Sequence, residues 1–142
     1  GCPGVADPGA QVVALAHQKN IRVIPLVGPS SILLALMSSG LNGQNFTFHG
    51  YLPIEDAERK RFVKKIEKQS KELDQAQIFI ETPYRNNKLL ISLTSTLHGS
   101  TRICVAADIT LSTEFIKTQT AQEWKKTSVD LHKRPAIFII QG

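Results

Sequence analysis

The sequence predicts an α/β protein, on three observations. Short runs rich in β-branched and aromatic residues alternate with longer stretches of helical periodicity. Glycine, proline and capping residues mark the junctions between them. With 142 residues, 42% of them hydrophobic, the chain is long and apolar enough to bury a core.

The elements follow in order. Gly1 to Ala6 reads as a loop, and a helix is expected from Asp7, whose carboxylate can cap free N–H groups while Pro8 takes the first helical position. Val12, Leu15 and Ala16 give this helix an apolar stripe, and Asn20 ends it. Ile21–Val27 reads as a buried strand. Gly28-Pro29-Ser30-Ser31 turns the chain into a second helix that stops near Gly40; its middle is apolar all round, so cover on several sides is expected. Leu41–Gln44 is polar, and a domain boundary is placed there, separating 1–44 from 45–142.

Beyond the boundary, Phe46–Leu52 reads as a strand and Glu55–Leu73 as a charged helix turning Phe62, Val63 and Ile66 inward. Gln77–Glu81 is the next strand, and Thr82-Pro83 opens a helix to about Leu97. Arg102–Ala107 and Glu114–Thr118 are strands, followed by a short helix over Ala121–Val129 in which Trp124 reads as a packing anchor. Pro135–Gln141 is the closing strand.

Composition narrows the functional classes. There is no low-complexity tract or internal repeat, and the longest apolar run, Ile32–Met37, is far too short to span a membrane. The formal charge of +5 permits a polyanionic partner. Much of it lies in Arg59, Lys60, Arg61, Lys64, Lys65, Lys68 and Lys71, interleaved with Glu55, Asp56, Glu58, Glu67 and Glu72, as on a solvated helix or a phosphate-contacting face. Cys2 and Cys104 lie in unlike settings that argue against a disulfide framework and for a reducing cytoplasm. His17, His49, His98 and His132 lack ligand spacing, so no metal site is expected. The chain opens inside a loop without an initiator Met, so it is expected to be part of a longer protein.

Two loops are suited to chemistry, Gly1–Asp7 and Gly28–Ser31. Each is expected between a strand and a helix, at the sheet edge where α/β folds bind ligands. Glycines let a ligand approach the backbone and prolines stiffen the loop, although an ordinary strand-to-helix turn has the same composition.

The order of motifs carries a more specific signal. Gly1-Cys2-Pro3, Asp7-Pro8-Gly9-Ala10, Ile21–Leu26, Gly28-Pro29-Ser30-Ser31 and Ser39-Gly40-Leu41 succeed one another. They are followed by Phe48-His49-Gly50-Tyr51-Leu52-Pro53, Phe79-Ile80-Glu81-Thr82-Pro83-Tyr84-Arg85 and the closing Arg134–Gly142. This succession resembles the tetrapyrrole methylase superfamily, and within it the branch that methylates a ribose 2′-hydroxyl of small-subunit ribosomal RNA.

The resemblance implies two α/β domains with S-adenosylmethionine in the cleft, in a cytoplasmic homodimer. Residues 1–44 would be the end of the cofactor domain, and 45–142 a complete second α/β/α domain with a mixed sheet. By matching position, Gly1, Cys2, Pro3 and Val5 would line the methionine side of the cofactor. Gly28, Pro29, Ser30 and Ser31 would form the second wall, and Tyr51, Pro135 and Ala136 would contact the adenine region. Lacking the family's glycine-rich first-strand loop, the chain would be inactive alone.

Methyl transfer to a hydroxyl needs alignment and a base, and Glu81 and Asp108 are candidates because each follows a strand. Arg85 is placed to hold Glu81 or a phosphate, or only to lock the loop. One departure stands out: where the ribosomal-RNA branch has R-E-L-T-K, this chain reads Ala107-Asp108-Ile109-Thr110-Leu111, with both basic residues gone. The expected activity is methylation of ribosomal RNA ribose. A tetrapyrrole C-methyltransferase and a non-catalytic RNA-binding or dimerisation module are the alternatives.

Overall fold

The computed structural model describes residues 2–142, and by packing the chain divides into two units, 1–31 and 32–142. The first unit holds one helix, α1 (Ala10–Gln18), which has no buried residue. It starts later than Asp7 suggests. Gly9, with φ of +134°, is the N-cap and no side chain caps the helix, because Asp7-Pro8-Gly9 forms a turn closed by the Gly4 amide donating to the Pro8 carbonyl at 3.2 Å. Asn20 adopts a left-handed φ of 54° after the helix, as its stop signal requires.

Ile21–Val27 is not a strand. A strand needs a hydrogen-bonded neighbour, and no described residue pairs with this segment. Its apolar side chains are open, with Leu26 88% exposed.

The second unit is built on a five-stranded sheet in the order β1-β2-β5-β3-β4. The strands are β1 (Phe46–Tyr51), β2 (Ala76–Ile80), β3 (Arg102–Ala107), β4 (Phe115–Thr120) and β5 (Ala136–Gln141). Only β1 and β2 pair in parallel; β2 with β5, β5 with β3 and β3 with β4 are antiparallel. The sheet is therefore mixed, and the chain is α/β as its pattern predicts.

Period-two alternation sorts each strand between two cores. Phe79, Ile103, Val105, Ala107, Phe138 and Ile140 enter the larger one, with Val63 and Ile66 of α3 (Asp56–Leu73), Leu89 and Leu93 of α4 (Asn86–Thr96), and Trp124 of α5 (Ala121–Trp124). The opposite face, Ala76, Ile78, Cys104, Ala106, Ile137 and Ile139, packs against Ala35 and Leu36 of α2 (Ser31–Ser39). The α/β/α layering thus depends on α2, which goes with the sheet although the sequence places its boundary later, at 44. Only one side of α2 is covered, against expectation: Leu33 and Met37 are 50% and 79% exposed. Gly40, with φ of +70°, ends the helix where predicted.

Local chemistry sets the other helices. Glu55 caps α3 by accepting from the Ala57 and Glu58 amides at 3.0 and 2.7 Å. Arg59, Val63, Ile66 and Ser70 form its buried stripe, so Arg59 does not belong to the solvated face on which its charge placed it. Thr82 gives no side-chain cap; Pro83–Arg85 is a short 3-10 turn that feeds α4. Thr120 and Glu123 form a capping box at α5. Trp124 is the anchor expected, 3% exposed with its indole N–H donating to the Ile103 carbonyl at 2.8 Å.

Candidate functional site

In the first unit, the two loops singled out from sequence are tied together. The Cys2 thiol donates to the Pro29 carbonyl at 3.4 Å, with the Gly28 carbonyl at 4.0 Å. Gly1, the remaining member of that set, lies outside the described residues. Pro3 and Val5 are exposed, and the Val5 amide closes a turn onto the Cys2 carbonyl at 3.1 Å. Gly28 is open: a Cβ built on it meets no atom within 4 Å, so a ligand can lie directly against its backbone. Ser30 is half-buried, and Ser31 begins α2. Cys2, Pro3, Val5 and Gly28 to Ser31 are all uncharged, a lining that suits a sulfonium, for which carbonyl oxygens are good neighbours and cationic side chains poor ones. The residues present therefore fit the cofactor that the motif order implies.

In the second unit, strand direction gathers the other candidates on one edge. The ends of β1, β2 and β3 and the beginnings of β4 and β5 meet there, because Tyr51 registers with Ile80, Ile80 with Ile137, and Ala107 with both Ala136 and Phe115. Tyr51, Glu81, Asp108, Pro135 and Ala136 thus share that edge. Tyr51 is 64% exposed, whereas Ala136 is buried in the larger core. Pro135 is exposed, and its carbonyl accepts from the Asp108 amide at 2.9 Å.

The two acids differ. Glu81 is buried, and its Oε1 accepts from the Thr82 amide at 2.7 Å and from Arg85 Nε and Nη2 at 3.1 and 2.8 Å. All three bonds fall on one oxygen, so Oε2 keeps its accepting capacity. Asp108 also takes its side-chain bonds on one oxygen, Oδ2, to which Arg134 Nε donates at 2.6 Å and Thr113 Oγ1 at 3.0 Å. The Arg134 guanidinium holds the Asp108 carboxyl below its ordinary value of 3.8, against desolvation, with the Thr113 hydroxyl adding to the lowering. An acid so stabilised in its charged form is a weak base near neutrality. Asp108 serves instead as a brace, with its own φ at +51°.

Sequence reasoning missed Arg134. Besides Asp108, it donates to the Thr113 carbonyl at 2.6 Å and the Asp130 carbonyl at 3.1 Å, clamping together the loops that precede β4 and β5. No spacing rule announces it, because its partners are scattered in sequence. Arg59 was also missed, although its place four residues before Val63 and seven before Ile66 was a legible sign of burial.

A cavity of about 190 Å³ opens beside Glu81, lined by Ile54, Arg59, Glu81, Arg85, Lys88 and Leu89. Arg59 is 5% exposed and fully engaged, donating to the Ile54 carbonyl at 2.9 Å, Asp56 at 2.6 Å and Ser92 at 3.4 Å. Among the described residues no cluster of three or more His, Cys, Asp or Glu has metal-binding proximity, and no helix is long and apolar enough to cross a membrane.

No protein-family model matches the sequence. The chain is, however, 30% identical over its whole length to the ribosomal RNA small subunit methyltransferase I of Vibrio cholerae and equally to that of Escherichia coli O157:H7, covering 49% of each. It is 33% identical to the protein of the same name from Xylella fastidiosa, covering 52% of it. The chain thus spans about half the length of the curated relatives it matches. Among solved structures, the methyltransferase CobJ matches all of the chain with a TM-score of 0.62 at 14% identity, over 62% of its own length. Uroporphyrin-III C-methyl transferase from Thermus thermophilus, complexed with S-adenyl homocysteine, matches 99% of the chain with a TM-score of 0.53 at 14% identity, over 62% of its own length. At that identity the solved structures speak to fold alone; in sequence the chain is similar along its whole length to the ribosomal RNA small subunit methyltransferase I proteins, in keeping with the resemblance that its motif order carries.

Proposed function

We propose that this chain is part of an S-adenosylmethionine-dependent methyltransferase acting on the ribose of ribosomal RNA. The observation that carries the reading is identity over the entire chain to proteins named as ribosomal RNA small subunit methyltransferases. The tied Cys2 and Gly28–Pro29 loops support it from the structure.

In this reading Cys2, Pro3, Val5 and Gly28 to Ser31 hold the cofactor, with Tyr51, Pro135 and Ala136 as further contacts. Bound S-adenosylmethionine supplies a methyl group already activated on sulfur. The chain's own task is then alignment, exclusion of water and removal of one proton. Glu81 Oε2 receives the hydroxyl proton, while Arg85, bonded only to Oε1, fixes the carboxylate's orientation. Asp108 and Arg134 brace the edge. A cytoplasmic location and a homodimer go with the same proposal.

The test is transfer of labelled methyl from S-adenosylmethionine by the intact protein to small ribosomal subunits from a strain lacking it. Label on a ribose is the expected result. Label on a porphyrinoid and none on RNA would replace this reading with the tetrapyrrole alternative; S-adenosylmethionine binding without transfer to either would contradict it.

A further inference from the structure

Next to Glu81 the surface carries an aromatic and basic group that the cofactor and the base leave unused. Tyr84 stands on the 3-10 turn between β2 and α4 and is 69% exposed. His132 meets its ring edge-on at 5.9 Å between centroids, and Lys133 Nζ lies 6.0 Å from the Tyr84 centroid. Both come from the loop before β5, where Lys133 holds a left-handed φ of 60°.

This loop is bolted to the start of α4. The Lys133 amide donates to the Pro83 carbonyl at 3.1 Å, and Asn86 Nδ2 to the Arg134 carbonyl at 2.6 Å. Asn87 bridges Asp130 and the Leu131 amide, each at 2.8 Å. Such anchoring holds three exposed side chains in one arrangement in which none serves the core. Immediately after Tyr84, Arg85 enters the lining of the 190 Å³ cavity, which carries Arg59 and Lys88 as well and only Glu81 as an acid. Lys88 is exposed, in the first turn of α4, and forms no salt bridge with any described residue.

A flat, open aromatic face beside a small cationic pocket has the chemistry of a nucleotide seat. Aromatic rings stack on any unpaired base, and Arg and Lys hold the adjoining phosphate. The cavity suits a phosphate group but is too small for a macrocycle, since ligand pockets of drug size start at about 300 Å³.

We propose that Tyr84, with His132 and Lys133, is the shelf on which one unpaired base of the RNA stacks, its phosphate lying in the pocket of Arg85 and Lys88. The inference rests on the RNA reading above and extends it. In RNA the 3′-phosphate is adjacent to the 2′-hydroxyl, so a phosphate held beside Glu81 brings a ribose hydroxyl to that carboxylate. The recognition is of single-stranded RNA, because a paired base offers no open face to the ring. It also returns cations to the edge where Ala107 and Leu111 stand in place of basic residues.

The test measures binding of a fluorescently labelled single-stranded RNA oligonucleotide from the small subunit to the intact protein over a series of salt concentrations. Wild type is compared with Tyr84→Ala, Tyr84→Trp, Lys88→Gln and, as a control outside the cavity lining, Lys125→Gln. All three positions are exposed, and matched unfolding midpoints establish that the variants fold. Tyr84→Ala is expected to weaken binding about tenfold, and Tyr84→Trp to retain it. Lys88→Gln is expected to reduce the slope of log affinity against log salt by about 0.7, the share of one single-strand phosphate. Wild-type binding with Tyr84→Ala and Lys88→Gln unchanged in affinity and slope would overturn the shelf and leave the RNA reading standing. A wild-type protein that binds uroporphyrin and no RNA would overturn both.

Discussion

Cutting the chain at two positions separates the packing of α2 from its place in sequence. A chain of residues 32–142 retains α2 on the sheet; a chain of residues 45–142 removes it. Leu36 is 6% exposed and Ala35 fully buried, and the Leu36 side chain alone contributes about 2 kcal/mol. Two hydrogen bonds go with them, Thr118 Oγ1 to the Ser39 carbonyl at 2.7 Å and the Asn42 amide to Gln141 Oε1 at 2.8 Å, each contributing about 1 kcal/mol. The sheet face left bare includes Ile78, Ile137 and Ile139. The shorter chain therefore loses about 5 kcal/mol or more, the lower end of a small domain's whole stability. Cys104 reports it directly: it lies under α2, is fully buried, and is the only thiol either truncated chain contains. Burial pushes its pKa above the ordinary value of 9.0, with a hydrogen bond to Thr118 opposing the rise, so both access and thiolate formation are suppressed in the native fold. A chromogenic disulfide reagent at pH 8 should label Cys104 about 100-fold faster or more in 45–142 than in 32–142, and urea should unfold the shorter chain at a far lower concentration. Equal labelling rates and equal midpoints would refute the assignment of α2 to the sheet.

Two further substitutions probe the second unit. Trp124→Phe leaves the Ile103 carbonyl without the indole donor and opens space in the larger core; urea unfolding should show a loss of about 2–3 kcal/mol, and a loss below about 0.5 kcal/mol would contradict the anchoring role. Asp108→Asn tests the ion pair through pH. The folded carboxyl titrates below its ordinary value of 3.8, so its contribution is fully present above that pH and is lost as pH falls through the folded value. The stability of wild type should therefore fall more steeply on acidification through this range than that of Asp108→Asn, and parallel acid limbs would show that Arg134 does not stabilise the charged form.

The legible parts of the fold were those governed by local chemistry. Short apolar runs located β2, β3 and β5, and helical periodicity with Phe62, Val63 and Ile66 on one face located α3. Ile21–Val27 has equally good strand composition yet forms none, because a ladder is made with a neighbour and composition does not supply one. The allegiance of α2 was hidden for a related reason: Ala35 and Leu36 are apolar, but only the tertiary arrangement decides which face they cover. Of the candidate site, the position of Glu81 and Asp108 at strand ends followed from sequence, and their difference did not. That difference comes from Arg134, distant in sequence from Asp108, which holds that carboxyl in its charged form, while Glu81 is served by Arg85 within its own turn.

The central claim is that the joined loops of the first unit hold S-adenosylmethionine. Gly28→Val tests it most directly, because a Cβ at Gly28 meets no protein atom within 4 Å and the fold should tolerate the side chain that the cofactor would meet. Calorimetric titration of the intact protein with S-adenosylmethionine should show binding in wild type and its loss in Gly28→Val, with unfolding midpoints unchanged. Unimpaired binding in Gly28→Val, or none in wild type, would contradict the account.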